Sequence, residues 1–210
     1  MIRILIADDH AVVRAGVKTF LHGEKGMKIA GEAANGDEAL ELLKKKGFDL
    51  MILDISMPGR DGLEVLKDVK RLRPKLPVLI LTMHPEERFA IRAFRAGASG
   101  YVTKEHASRE LILAIKKISS GGKYVSEKLA ETLVSELPKT VGNPPHESLS
   151  DREYRIMCLL ASGENMKSIA EHLSLSYGTV FTYRKRVLKK MKLSTDVELT
   201  HYALEHGLVD

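Results

Sequence analysis

A single cysteine, Cys158, in 210 residues rules out an intramolecular disulfide framework and any cysteine-rich zinc site. Its place in the pattern Ile156, Leu159, Leu160 makes it a packing residue of a helix core. No apolar run approaches the ~20 residues needed to cross a bilayer, and the start lacks a charged region followed by a long apolar stretch and a small-residue cleavage site. A soluble, cytoplasmic protein with no membrane contact is expected. Internal repeats and low-complexity tracts are lacking too, which excludes repeat architectures.

Acid is missing in one short stretch: Arg184 to Lys192 holds six basic residues and no Asp or Glu. The whole-chain charge of +5 and pI of about 9.2 are not the argument for nucleic acid. Residues 1 to 124 hold 22 Lys+Arg against 16 Asp+Glu, whereas residues 145 to 210 hold 9 against 9. The signal is a local stripe.

What is present is an alternation. Short aliphatic runs at 2 to 7, 28 to 33, 49 to 54, 77 to 82 and 99 to 103 read as strands, those at 2 to 7 and 49 to 54 as strands buried on both faces. Helical periodicity at 10 to 22, 36 to 46, 61 to 73, 86 to 95 and 106 to 120 separates them. Right-handed crossovers then give an α/β fold, a doubly wound five-stranded parallel sheet with helices on both faces. After Gly121-Gly122 the texture changes. Ser126 to Leu137 suits a short amphipathic helix, and Pro138, Gly142, Pro144 and Pro145 interrupt regular structure, as in a linker. From Leu149 onward the pattern is helical only, with capping boxes at Ser150 to Glu153 and Thr195 to Glu198. The expected organisation is residues 1–122, a linker over 123–147, and a second, all-α domain over 148–210.

Asp8, Asp9 and Asp54 each stand where an apolar run ends, so the sheet gathers them at its carboxyl edge, where open α/β sheets bind ligands. Three carboxylates a few ångströms apart persist only if protonated or neutralised by a cation, and a hard divalent ion such as Mg²⁺ suits oxygen ligands and a phosphate oxygen. Thr82 and Lys104 close the strands at 77 to 82 and 99 to 103. With Asp54 as nucleophile, the metal and Lys104 would screen charge on transferring oxygens while Thr82 hydrogen-bonds one of them.

Asp8-Asp9-His10, Asp54-Ile55-Ser56-Met57-Pro58, Gly62, Thr82, Tyr101 and Lys104, in that order and spacing, resemble the receiver domain of a two-component response regulator, a flavodoxin-like fold. The resemblance implies that Asp54 accepts phosphate from a sensor histidine kinase. It implies Mg²⁺ held directly by Asp9 and Asp54, partly through water by Asp8, and by the backbone carbonyl of Ser56. It makes Thr82 and Tyr101 the switch. One departure is Glu105, where many receivers carry a proline in a cis peptide after the lysine. His10 stays unassigned, since Mg²⁺ prefers oxygen.

Residues 149 to 207 resemble the LuxR-type helix-turn-helix of NarL/FixJ-class regulators through Leu149 to Glu153, Ala161-Ser162-Gly163, Ile169 to Leu173, Leu175-Ser176, Thr179-Val180, Leu188 and Lys190-Met191. Lys167 to Leu173 reads as the first short helix, Ser174 to Ser176 as the turn, and Tyr177 to Lys192 as a helix long enough for a major groove. Phe181, Thr182, Arg184, Lys185, Lys189 and Lys192 are expected to point outward. Family analogy puts base-edge contacts at Phe181, Thr182 and Lys185, and Lys167, Thr179, Tyr183, Arg184, Arg186 and Lys189 nearer phosphates of double-stranded promoter DNA. The helix Thr195 to Glu205 is implied to join a homodimer on phosphorylation, with RNA polymerase a further candidate partner. The same site is a candidate catalyst of its own phosphorylation and dephosphorylation.

Two rival chemistries fit less well. A haloacid dehalogenase-type aspartyl phosphatase needs an acid two residues after its nucleophile, where this chain has Ser56. A flavodoxin-like nucleotide binder needs a glycine- or hydroxyl-rich phosphate loop after the first strand, where Asp8-Asp9 would repel the phosphate. A third reading keeps the receiver and makes its output a protein contact.

Overall fold

Five short runs, each too short for a helix, pair into one parallel sheet: β1 (Ile2–Ala7), β2 (Met27–Ala33), β3 (Leu50–Leu53), β4 (Val78–Thr82) and β5 (Gly100–Thr103), of which the edge strand β2 exposes the charged side chains of Lys28 and Glu32, while β3 and β4 are buried throughout. Helices α1 (Ala11–His22), α2 (Gly36–Lys45), α3 (Gly62–Leu72), α4 (Glu86–Arg95) and α5 (Ala107–Ser119) alternate with them. The strand order is β2-β1-β3-β4-β5. It reverses between β1 and β3, the two strands that carry the acids, which is where doubly wound sheets open a crevice.

This computed structural model describes residues 1–126, 129–131 and 144–209, which fall into two units, Met1–Val134 and Ser135–Asp210. In the first unit, Ile4, Ile6, Leu50, Ile52, Leu79 and Leu81 pack with Val17 and Leu21 of α1 and Leu111, Ile115 and Ile118 of α5. The alternate strand residues, among them Leu5, Met51, Leu53 and Ile80, are equally buried and face the other helix layer. Every such side chain contributes about 1.5–3 kcal/mol by leaving water, which pins the register that aligns the strand ends.

Two caps close the helices beside the sheet edge. Asn35 accepts from Glu38 N at 2.9 Å while the Glu38 carboxylate takes Ala34 N at 2.8 Å, and Asp61 accepts from Leu63 N at 2.9 Å. Gly62 follows because nothing larger fits. A Cβ there would lie 2.4 Å from Asp54 O and 2.5 Å from Ile55 Cα, so its absence lets α3 start against the loop that carries Asp54.

Residues just past α5 stay with the first unit. Tyr124 N donates to Ser99 O at 2.9 Å, Tyr124 bridges Gly100, and Leu129 is buried. Most of the helix expected over Ser126 to Leu137, with Pro138 and Gly142, lies outside the described residues. Pro145 does not interrupt structure as expected but begins a 3-10 turn, Pro145–Ser148, because its fixed φ suits the first helical position and no donor is lost there.

The second unit holds α6 (Asp151–Ala161), α7 (Met166–His172), α8 (Tyr177–Met191) and α9 (Asp196–Glu205). Both expected capping boxes form, at Ser150/Glu153 and Thr195/Glu198. Ile169, Ala170, Leu173, Val180, Val187, Leu188 and Met191 are buried, as their spacing predicts. Cys158 is only half-buried, flanked by the buried Met157 and the half-buried Leu159. Lys192 does not extend α8 but caps it in the left-handed conformation, φ 57°.

Gly62→Ala is expected to cost about 1–3 kcal/mol in urea unfolding, since the methyl meets backbone. Gly16→Ala in α1, where a Cβ meets nothing within 4 Å, is expected to gain up to about 1 kcal/mol. Equal effects would contradict the close approach at Gly62.

Candidate phosphoacceptor site and nucleic-acid interface

The backbone ladder places each acid. Asp8 N donates to Ala33 O at 3.1 Å and Asp54 N to Ala7 O at 2.9 Å, so both side chains leave adjacent strand ends. Asp8 and Asp54 are 2% and 1% exposed, and Asp9 is partly exposed beside them. Lys104 reaches them because its N–H donates to Thr82 O at 2.7 Å, continuing the β4–β5 register. Its Nζ donates to Asp54 Oδ2 at 2.6 Å and lies 2.7 Å from Asp8 Oδ2.

One ammonium thus serves two buried carboxylates. Burial pushes the Asp8 carboxyl above its ordinary value, against the lowering pull of the hydrogen bonds from Lys104 and His10. Burial works against the charge on Lys104 as well, but Asp54 and Asp8 outweigh it and hold its pKa above the usual lysine value. The remaining carboxylate oxygens take backbone donors: Ser56 N to Asp54 Oδ1 at 3.0 Å and His10 N to Asp8 Oδ1 at 2.8 Å.

Ligand atoms of Asp8, Asp9, His10 and Asp54 lie within 4.8 Å of one another. Asp9 Oδ1 is buried and accepts no hydrogen bond among the described residues, although His10 Nδ1 lies 2.9 Å away. A surplus of anionic oxygen over donors, with an orphaned carboxylate oxygen, fits a hard divalent cation such as Mg²⁺. Every described peptide is trans, including the one between Lys104 and Glu105.

Thr82 is fully buried and its Oγ1 accepts from His84 N at 3.4 Å. Tyr101 is 1% exposed, with its hydroxyl donating to His84 O at 3.0 Å. His84 was missed by sequence reasoning. Besides bonding both Thr82 and Tyr101 through its backbone, it brings Nε2 to 2.7 Å from Ser56 Oγ and packs its ring on Phe89 at 4.3 Å. The only signal in the sequence is a ring two residues past the strand-end hydroxyl.

In the second unit, Ser176 caps α8 by accepting from Thr179 N at 3.1 Å, and its Oγ lies 2.8 Å from Thr179 Oγ1. Phe181, Thr182, Lys185, Arg186, Lys189 and Lys192 are exposed, and so is Lys167 on α7. Lys185 Nζ stands 4.8 Å over the Phe181 ring, which gives that ring a purpose on the exposed face. Arg186 lies over the half-buried Tyr183 at 5.8 Å.

Two of the six basic residues are paired with acids of neighbouring elements. Arg184, expected outward, is half-buried with Nε donating to both carboxylate oxygens of Asp196 at 2.8 and 2.9 Å. Lys190 Nζ donates to Glu153 Oε2 at 2.6 Å and, with the Ser150 cap, outweighs burial to hold that carboxyl below its usual value. Thr179 likewise serves the cap.

Residues 4–116 match the model of the response regulator receiver domain, and residues 147–203 match that of bacterial regulatory proteins of the luxR family. Response regulator UvrY of Escherichia coli (strain K12) is 37% identical over 209 residues, covering 99% of this chain and 96% of that one. Response regulator GacA of Pseudomonas aeruginosa is 36% identical over 211 residues, covering 100% and 99%. RcsB of Salmonella enterica serovar Typhimurium, bound to promoter rprA in the presence of phosphomimetic BeF3⁻, aligns with a TM-score of 0.66 and 26% identity, over 96% of this chain and 98% of that one. The chain belongs to the response regulator family: a receiver joined to a luxR-type helix-turn-helix, hence a DNA-binding regulator of a two-component system. Among the described residues no helix is long and apolar enough to cross a membrane.

Replacing Lys104 by Met leaves two buried carboxylates unpaired, so without divalent cation the fold is expected to lose about 3 kcal/mol in urea unfolding. Adding Asp54→Asn to that variant is expected to recover part of the loss. No loss, or no recovery, would show that the two acids do not compete for one cation.

Proposed function

We propose that Asp54 accepts a phosphoryl group from the phosphohistidine of a sensor kinase and that this modification frees the second unit to dimerise on promoter DNA in the cytoplasm. The single observation that carries the reading is the buried Asp54 carboxylate, bonded by Lys104 at 2.6 Å and flanked by Asp8 and Asp9. A carboxylate oxygen of Asp54 forms the new P–O bond as the P–N bond of the donor breaks. Lys104 screens charge on the transferring group, and Thr82 hydrogen-bonds one of its oxygens. Asp8, Asp9, Asp54 and the Ser56 carbonyl would hold Mg²⁺, whose charge would offset that of the acids and the phosphoryl oxygens. The same residues would serve autophosphorylation from small donors and autodephosphorylation by water.

The switch follows from hydrogen bonds already present. For Thr82 to turn to the phosphoryl group it must give up His84 N, and Tyr101 is tied to the same residue's carbonyl. His84 leads through Pro85 into Glu86, the first residue of α4. Glu86 accepts from Ser126 Oγ, and that oxygen in turn accepts from Leu129 N at 3.0 Å. A shift of the loop after β4 therefore pulls on the first residues that follow the receiver. Burial and the neighbouring Glu110 push the Tyr124 phenol up to about 12, so this anchor stays protonated and bonded through the physiological range.

On the output side, Phe181, Thr182 and Lys185 form the base-reading face of α8, with Lys167, Tyr183, Arg186 and Lys189 at phosphates. Thr179 and Arg184 act indirectly, by capping α8 and fastening it to Asp196. Val197 and Leu204 of α9 are 79% and 51% exposed and, seven residues apart, share one helix face suited to a dimer contact. The receiver is taken to span residues 1–122 and the DNA-binding domain residues 148–210, joined by a linker over 123–147.

With a radiolabelled small phosphodonor and Mg²⁺, label is expected on the wild type and none on Asp54→Asn; persistent label would overturn the assignment. Lys185→Ala and Lys189→Ala are each expected to weaken binding to target duplex and to lower its salt slope by about one. Unchanged affinity and slope in both would instead support an output through protein contact. Ser126→Ala is expected to be labelled normally yet to gain less DNA affinity on phosphorylation than the wild type, and an equal gain would remove this route from the switch.

A further inference from the structure

A cavity of about 570 Å³ opens at the edge of the sheet opposite Asp54, between the starts of β3 and β4. That volume is typical of small-molecule sites and is far from the phosphoacceptor chemistry. Its floor is apolar: Leu43, Phe48 and Leu76 line it, and Leu72, 40% exposed, stands among the lining residues as well. The apolar lining and the exposed Leu72 leave room for an apolar group to be buried there.

The rim is cationic. Lys46, Arg73 and Lys75 border the cavity, with Asp49 the one acid. Asp49 is engaged, its Oδ2 accepting from Arg3 N at 2.8 Å. Arg73 is fixed by its donation from Nη2 to Leu43 O at 3.0 Å, which holds the guanidinium in place without neutralising it. Lys46 and Lys75 have no ion-pair partner among the described residues, whereas their neighbours Lys44 and Lys45 pair with Glu41. The excess of base in residues 1 to 124, which the DNA-contacting helix does not explain, is thus partly gathered around this cavity.

From the apolar floor and the three-to-one charge of the rim, we infer that the cavity binds an amphipathic anion: a medium-chain or aromatic carboxylate, sulfonate or phosphate. The apolar body fills the space over Leu43, Phe48, Leu72 and Leu76. The head group meets Arg73, whose anchored fork suits a two-oxygen acid, with Lys46 and Lys75 flanking it. A cationic amphiphile of the same size is rejected, because it would bring a fourth positive charge to the rim.

The test uses 8-anilinonaphthalene-1-sulfonate, an aromatic anion that fluoresces in apolar surroundings, with the full chain. Saturable one-site binding is expected, displaced by decanoate and not by decyltrimethylammonium. Leu72→Gln and Lys75→Glu, both at exposed positions, are each expected to weaken it at least five-fold without change in circular dichroism. Amide resonance shifts on adding decanoate are expected to centre on residues 43–49 and 72–77. No saturable binding, equal binding by both variants, equal displacement by the cation, or shifts centred elsewhere would each overturn the inference.

Discussion

Two buried carboxylates, Asp8 and Asp54, share the single ammonium of Lys104. An acid pair this deep would protonate or unfold the edge if left alone, since burial alone disfavours each charge by several kcal/mol. Lys104 offsets part of that cost and leaves net negative charge for an added cation to balance. The cation of the proposed chemistry would supply the positive charge that the acids leave unbalanced, and with Lys104 it would screen the oxygens of an incoming phosphoryl group. Placement of Lys104 depends in turn on the β4–β5 ladder, and that ladder on the buried aliphatic pattern of the strands. Site electrostatics and hydrophobic register are one constraint here.

The same ladder places His84. His84 lies directly after β4 and spends its backbone N–H on Thr82, its carbonyl on Tyr101 and its ring on Ser56. On the proposed mechanism, a residue tied to three neighbours couples them, so that a turn of Thr82 would be felt at Tyr101 and Ser56. Glu86 and Ser126 lie next along the chain of contacts. On the proposed mechanism, phosphorylation changes the balance between two arrangements of this loop, by as much as the phosphoryl group prefers one of them.

Strands and helices were legible because their signals are periodic: the expected helix at 61 to 73 is Gly62–Leu72, and the expected strand at 77 to 82 is Val78–Thr82. The acids, Thr82 and Lys104 were legible because strand ends of a parallel sheet share one edge. What escaped lies in loops and in angles between helices. Nothing periodic says that His84 crosses to Ser56. Arg184 follows the outward spacing of α8, yet Asp196, the first residue of α9, lies within 2.8 Å of it and leaves it half-buried in an ion pair. Pro145 read as a breaker because proline suits a helix start as well as a gap.

The account stands or falls on coupling between an anionic group at Asp54 and the output helix. The most direct measurement is a titration of the full chain with beryllofluoride and Mg²⁺, following mass in solution and affinity for target duplex together. Both are predicted to rise over the same concentration range. Occupancy of the site with neither quantity changed would contradict it.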